Sequence, residues 1–143
     1  MGAILAGYPQ GVTDVHDLSL QLPATRESPR AARRAIDDLR VERHVEAVFN
    51  LRLLITELVG NSVRHAGLSS ADSIILEIRI RPGQIRAQVT DRGPGFTRPV
   101  FGEPPSGTGG RGLYLVDALA DRWGAEPTPR RDGWQVWFEL DLE

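Results

Sequence analysis

Residues 73–89 read SIILEIRIRPGQIRAQV, and this stretch decides what kind of fold the chain can form. Apolar side chains alternate with polar ones on both sides of the turn sequence Pro82-Gly83, as in half-buried strands. The apolar positions are Ile74, Leu76, Ile78, Ile80, Ile85, Ala87 and Val89. The stretch therefore predicts an antiparallel hairpin with one buried face.

The residues before the hairpin predict one strand and two helices. Leu18, Leu20 and Leu22 alternate as in a short strand that ends at Pro23. Ser28-Pro29 is a helix-start sequence with Ser28 as the N-cap, and an amphipathic helix is predicted over 29–43. A longer helix is predicted over 45–66, and Gly67 ends it in the left-handed conformation.

The residues after the hairpin begin with a long segment rich in proline and glycine, residues 92–109. Long irregular segments inside compact domains are usually functional, so a flexible lid is predicted over 96–109. A third helix is predicted over 112–122, followed by a hairpin that pairs 123–129 with 134–141. This order of elements predicts an α+β fold, a two-layer sandwich of a mostly antiparallel sheet with helices on one face.

Bulk composition limits the possible function classes. The 143 residues are 41% apolar and 25% charged, which fits a single globular domain over 1–143, with the Gly-rich residues 1–15 expected to be mobile. No apolar run approaches the roughly 20 residues of a membrane span, so a cytoplasmic protein is expected. A net charge of -2 argues against nucleic-acid binding. All 17 basic residues are arginine, which excludes a P-loop lysine.

The second predicted helix carries a polar stripe formed by Glu57, Asn61 and His65. Their spacing of four residues places them on one face over about 12 Å. A carboxylate at Glu57 can act as a general base, and the amide oxygen of Asn61 suits Mg²⁺. By itself the stripe favours the plainer interpretation, in which Glu57 is a solvated helix residue and Asn61 a tolerated polar one.

Asp91-Arg92-Gly93-Pro94-Gly95 directly follows a predicted strand. Its glycines allow a sharp turn that approaches a flat ligand closely, and the Asp91 carboxylate can accept a hydrogen bond from an exocyclic amine. The same residues also suit an ordinary turn at the end of a strand. The segment alone leaves both interpretations open.

Residues 107–112 read GTGGRG and open the third predicted helix. Backbone N–H groups at a helix start bind phosphate, and Arg111 adds a cation there. The dinucleotide fingerprint has the same spacing but follows a strand, whereas a Pro-rich loop precedes this stretch. A protein-kinase glycine loop requires a lysine, which is absent. A flexible linker remains the alternative.

The order of these motifs resembles the GHKL ATP-binding superfamily across about residues 16–141. Three segments carry the resemblance and look most like the bacterial anti-sigma-factor serine/threonine kinases. They are TELVGNSVRHA (56–66), DRGPG (91–95) and GRGL (110–113).

The resemblance implies a role for each matching residue. Glu57 would be the catalytic base, Asn61 the Mg²⁺ ligand, and Asp91 the contact to the adenine amine. ATP and Mg²⁺ are thus the implied cofactors. The remaining implied nucleotide-binding positions are Gly93, Gly95, Gly110, Arg111, Gly112 and Leu113.

The resemblance also implies protein partners. An anti-anti-sigma antagonist protein would be the phosphorylated substrate, and a sigma factor and a homodimeric assembly are further expectations. The Arg-rich first helix is predicted to be a solvated face, with partner binding as the alternative. A nucleotide-gated binding module without kinase turnover is the competing function.

Two positions depart from the family pattern. Ser62 stands where alanine usually follows the asparagine, and Gln135 stands where many relatives have a threonine near adenine.

The terminal hairpin carries three tryptophans, which are predicted to be packing residues: Trp123, Trp134 and Trp137.

Overall fold

The computed structural model describes residues 15–96 and 111–142. The elements in these ranges, in chain order, are β1 (His16–Pro23), α1 (Ser28–Asp38), α2 (Val45–His65), β2 (Ser73–Arg81), β3 (Gln84–Asp91), α3 (Arg111–Leu119), β4 (Arg122–Pro127) and β5 (Trp134–Asp141). The predicted mobile segment up to residue 14 and residues 97–109 of the predicted lid lie outside the described residues.

The strands form one sheet in the order β1-β2-β3-β5-β4, and every neighbouring pair is antiparallel. The predicted hairpin is confirmed as β2 and β3, with Ile78 opposite Ala87. Ala87 is in turn opposite Phe138, so β5 joins β3 although α3 and β4 separate them in sequence. The predicted α+β class is confirmed.

The hydrophobic core lies between the sheet and the helices. Alternate residues of the central strands face it and are almost fully buried, as Leu76 and Phe138 at 0% exposure illustrate. α2 contributes the apolar face of its middle turns, namely Leu51, Leu54, Ile55, Leu58 and Val59. The alternating residues on the opposite sheet face are mostly polar, including Glu77 and Arg79, so the helices cover one face as predicted.

The start of α1 differs from the prediction. Ser28 lies inside the helix, and its N-terminal flanking residue Glu27 makes no side-chain cap. The Ser28 hydroxyl instead donates to the carbonyl oxygen of Pro23, and the residue is buried at 2% exposure. Ser28 therefore ties the helix to the end of β1, a contact that local sequence does not encode.

Helix ends also differ from the prediction. α1 ends at Asp38 rather than residue 43, because Arg40 adopts a positive φ angle of 53°. α3 ends at Leu119 rather than residue 122, since Arg122 already pairs with Glu139 in the sheet. The end of α2 is confirmed, with the following Gly67 at a φ of 70°.

Candidate functional site

A cavity of about 220 Å³ opens between α2, the start of α3 and the adjacent ends of β3 and β5. It is lined by Leu58, Asn61, Ser62, His65, Ala66, Val89, Asp91, Gly95, Phe96, Leu113, Trp134 and Val136. Most of the lining is apolar, with a few converging polar groups, which is the usual character of a small-molecule site. Four predicted site residues, Asn61, Asp91, Gly95 and Leu113, therefore share one cavity.

Asp91 is held at the cavity wall by hydrogen bonds to both carboxylate oxygens. Its Oδ1 accepts from the backbone N–H of Gly93 at 2.8 Å. Its Oδ2 accepts from Ser62 Oγ at 2.6 Å, and Ser62 is only 6% exposed. Each carboxylate oxygen keeps a second acceptor position, so Asp91 can still receive a proton donor from a ligand.

The turn after β3 packs tightly, and glycine is what permits it. A Cβ on Gly93 would lie 2.9 Å from the carbonyl oxygen of Ala66 at the end of α2. Gly95 has a φ of 82°, and a Cβ there would lie 2.1 Å from the Trp134 ring. The two glycines bring the turn against α2 on one side and Trp134 on the other.

The start of α3 packs directly on the polar stripe of α2. A Cβ on Gly112 would lie 2.9 Å from Asn61 Nδ2 and 3.3 Å from Glu57 Cβ. Gly112 therefore allows the first turn of α3 to contact both residues. Glu57 lies one turn before Asn61, beside the cavity rather than in its described lining. Gly110 lies outside the described residues.

Two arginines contact the stripe. Arg111 Nη2 lies 3.4 Å from Glu57 Oε2, with the Arg111 side chain 59% exposed and that of Glu57 14% exposed. Arg64 Nη2 donates to Asn61 Oδ1 at 3.2 Å. The Arg64 guanidinium lies over Gly60, where a Cβ would be 2.8 Å from Nη1. The groups predicted to act as base and metal ligand thus each have a cationic neighbour.

Trp134 is a cavity residue that the sequence analysis assigned to packing. Trp134 and Val136 line the cavity, whereas Gln135, their neighbour in β5, does not. Alternate strand residues face opposite sides of a sheet, so Gln135 points away from the site expected for it. Trp134 lies four residues before the apolar Phe138 in the same strand and therefore on the same sheet face. This alternation could have identified Trp134 as a residue that faces the cavity.

Trp134 also forms the aromatic wall of the cavity. Its ring centroid lies 5.3 Å from that of Phe96, with an angle of 57° between the planes. The indole Nε1 is buried and has no hydrogen-bond partner among the described residues. For Trp123, at 7% exposure, the packing prediction is confirmed, and its Nε1 donates to Asp117 Oδ1 at 2.8 Å.

The described residues hold no cluster of acidic or histidine ligands for a metal ion. Within residues 15–96 and 111–142, no three His, Cys, Asp or Glu side chains are grouped to hold an ion. Asn61 Oδ1 is a suitable neutral oxygen in the cavity lining. Mg²⁺ often binds through one or two protein oxygens together with substrate phosphates, so this donor set fits a nucleotide-bound Mg²⁺.

Comparison with known proteins settles the family. Residues 22–139 match the family model described as the histidine kinase-like ATPase domain, which is most of the chain. The chain belongs to this family. The assignment confirms the resemblance to the GHKL superfamily.

Within the histidine kinase-like ATPase domain family, the chain is similar to proteins named serine-protein kinase RsbW. The proteins from Listeria innocua serovar 6a and Listeria monocytogenes serovar 1/2a are each 30% identical to it over 122 residues. Those alignments cover 75% of this chain and 78% of each relative.

A solved structure shares the fold of this ATPase domain. It contains the RsbU and RsbW domains of a Mycobacterium tuberculosis protein, with a TM-score of 0.63 and 19% identity. The match covers 87% of this chain and 31% of that longer one.

None of the helices in the described parts of our chain is long and apolar enough to cross a membrane.

Proposed function

We propose that this chain binds ATP with Mg²⁺ and phosphorylates a serine or threonine of a small antagonist protein of the anti-anti-sigma type. One observation carries the proposal: α3 packs through Gly112 onto both Glu57 and Asn61, beside a cavity that contains Asp91. The residues proposed as base, metal ligand and adenine acceptor are thereby adjacent. The similarity to proteins named serine-protein kinase RsbW supports the same reaction.

Asp91 would recognise the adenine base. Its carboxylate is already oriented by Ser62 and by the Gly93 N–H, so little ordering is needed when the exocyclic amine donates to it. The apolar side chains Leu58, Val89 and Val136 around it would contact the two faces and edges of the purine. Exclusion of water from this cavity strengthens the polar contact.

The first turn of α3 would receive the phosphates. Backbone N–H groups at a helix start bind anions, and the helix dipole adds to the attraction. Mg²⁺ held by Asn61 together with the phosphates would neutralise charge on the transferred group. Positioning and charge neutralisation are the main requirements of phosphoryl transfer.

Glu57 would act as the general base. The substrate hydroxyl oxygen forms a bond to the γ-phosphorus while the bond to the β–γ bridging oxygen breaks. ADP leaves with that electron pair, and Glu57 accepts the hydroxyl proton. At 14% side-chain exposure Glu57 is accessible to a protein hydroxyl yet largely shielded from water.

A sigma factor is the proposed second partner, bound at the surface of α1 and the beginning of α2. Val45 and Phe49 are 77% and 59% exposed there, one helical turn apart. Arg30 and Arg34 of α1, the helix that packs against α2, are exposed as well. Exposed apolar side chains beside charges are typical of protein-binding surfaces.

A transfer assay tests the catalytic proposal. Purified protein is incubated with Mg²⁺, ATP labelled on the γ-phosphate, and candidate antagonist proteins. We expect label on the antagonist with the wild type and its loss with Glu57→Gln. Glu77→Gln, which changes a carboxylate on the opposite sheet face, is the matched control and should retain transfer.

The other outcomes discriminate between functions. ATP binding without transfer to any candidate would replace the kinase with a nucleotide-gated binding module. Absence of ATP and ADP binding at millimolar concentration with Mg²⁺ would contradict both functions.

A further inference from the structure

Arg111 occupies a position that helix stability does not explain. It is the first residue of α3, where the positive end of the helix dipole disfavours a cation. Its guanidinium reaches across to α2, and Nη2 lies 3.4 Å from Glu57 Oε2. The contact therefore connects the start of the phosphate-binding helix to the proposed base.

The two partners of this pair differ in their freedom to move. Glu57 is 14% exposed and its Cβ is covered by Gly112, whereas the Arg111 side chain is 59% exposed. A long 3.4 Å contact at such exposure is a weak ion pair. Arg111 can thus leave Glu57 at little cost, while Glu57 stays in place.

The chemistry of guanidinium makes phosphate a competing partner. Its five N–H donors fit carboxylate and phosphate oxygens equally well. A triphosphate at the start of α3 brings several anionic oxygens to the helix that carries Arg111. The Glu57 carboxylate and the phosphates are then alternative partners for the Arg111 guanidinium.

We propose that Glu57 and the ATP phosphates compete for Arg111. Arg111 holds Glu57 in the nucleotide-free chain and transfers to the phosphates when ATP binds, which frees the Glu57 carboxylate to accept the hydroxyl proton. In this scheme Arg111 restrains the base before ATP binds and contacts the phosphates afterwards. The inference rests on the proposed function, because it assumes that ATP occupies the site.

Competition has a consequence that binding alone can measure. Glu57→Gln removes the competing charge, so Arg111 is available to ATP without breaking an ion pair. We expect this variant to bind ATP about two- to fivefold more tightly, the factor that corresponds to a weak surface ion pair. AMP, which lacks the β- and γ-phosphates, should bind with unchanged affinity.

Loss of a negative charge could also tighten binding through a general electrostatic effect, so a double-mutant cycle is required. Calorimetry with ATP and with AMP is carried out on the wild type, Glu57→Gln, Arg111→Gln and the double variant. We expect Arg111→Gln to weaken ATP binding and to abolish the gain caused by Glu57→Gln. Arg79→Gln, on the open sheet face, controls for loss of an arginine and should leave ATP affinity unchanged.

Three outcomes would overturn the competition. They are an unchanged ATP affinity in Glu57→Gln, a gain that persists in the double variant, or an equal gain for AMP. Each of these leaves ATP binding, and hence the proposed function, intact. Absence of ATP binding in the wild type would instead overturn both. Circular dichroism of each variant confirms that it is folded.

Discussion

Ser62 Oγ donates a 2.6 Å hydrogen bond to Asp91 Oδ2 and so connects α2 to the end of β3 across the wall of the cavity. The two residues are 29 positions apart in the chain. Ser62 departs from the alanine that usually follows the asparagine of this motif. The structure gives that departure a physical role, since the hydroxyl orients the carboxylate proposed to recognise adenine.

Ser62→Ala should weaken ATP binding by about two- to thirteenfold, because an intramolecular hydrogen bond contributes about 0.5–1.5 kcal/mol. The alanine has space at this position but leaves Asp91 Oδ2 free to reorient. Calorimetric titration with ATP measures the effect, and Ser19→Ala on the exposed side of β1 is the control. Equal affinities for Ser62→Ala and the wild type would show that the Gly93 N–H alone orients Asp91.

Gly60→Ala should stabilise the chain by about 0.5–1 kcal/mol, the usual gain when alanine replaces a mid-helix glycine. The three nearest heavy atoms to the added Cβ all belong to the flexible end of Arg64, at 2.8, 3.4 and 3.4 Å. That side chain can move away, which also releases Asn61 Oδ1. Urea unfolding measures the change.

Gly112→Ala provides the contrast for Gly60→Ala. Its Cβ would meet Asn61 Nδ2 at 2.9 Å and Glu57 Cβ at 3.3 Å, so α3 must move away from α2. We expect lower ATP affinity and no gain in stability. A lower free energy of unfolding for Gly60→Ala than for the wild type would contradict the stabilisation expected for that variant. It would indicate that Arg64 packing is required for the fold.

Gly95→Ala should destabilise the chain more than Gly83→Ala. Both glycines have positive φ angles, 82° and 92°, which cost a non-glycine residue about 1–2 kcal/mol. At Gly95 the Cβ would also overlap the Trp134 ring at 2.1 Å, whereas no described atom lies within 4 Å of a Cβ on Gly83. In Gly95→Ala this overpacking should add about 1–3 kcal/mol to the loss of stability.

Urea unfolding of the two glycine variants isolates the Trp134 contact as the difference between them. ATP affinity should fall in Gly95→Ala and remain unchanged in Gly83→Ala, which lies in the turn between β2 and β3. Equal losses of stability would show that the backbone conformation, and not the aromatic contact, requires glycine at residue 95.

Glu139 should contribute to stability in a pH-dependent manner. The hydrogen bond from Arg122 and that from Arg86 lower the pKa of the Glu139 carboxyl below its ordinary value of 4.5. A lowered folded-state pKa stabilises the fold above the unfolded value, and this contribution is lost as the pH falls through the folded value. Acidification below about pH 4.5 should therefore remove it.

Glu139→Gln tests this contribution. The variant should have a lower Tm at neutral pH and a smaller further decrease on acidification between about pH 5 and about pH 3. Thermal unfolding monitored by circular dichroism at each pH measures both effects. Glu77→Gln is the control, because its carboxylate contacts Gln88 rather than an arginine. Parallel pH profiles for wild type and Glu139→Gln would contradict the prediction.

Regular patterns made most of the fold predictable. Alternating apolar residues identified β2 and β3, and the stop at Gly67 set the end of α2 within a residue. Helix ends that depend on irregular backbone were less predictable. The positive φ of Arg40, for example, shortens α1, and arginine carries no local signal for that conformation.

The candidate site likewise contains residues that were predictable from local patterns and residues that were not. Asn61 and Asp91 were predicted from motifs and line the cavity, while Gly93 and Gly112 were predicted and lie in the close contacts that shape it. Trp134 and Phe96 were missed as cavity residues, and Gln135 was expected on the wrong sheet face. Strand pairing decides which residues of β5 face the helices, and that pairing joins segments distant in sequence.

The amino-acid sequence by itself determined the elements, the α+β class and the order of the three motifs proposed to bind nucleotide, because helices, strands and turns follow from spacing and local backbone preference. Only the tertiary structure decided which side chains meet. Ser62 orients Asp91, Arg111 contacts Glu57, and Trp134 packs on Gly95. Such contacts depend on how α2, α3 and the sheet pack together, and no local pattern specifies the relative placement of segments that are distant in the chain.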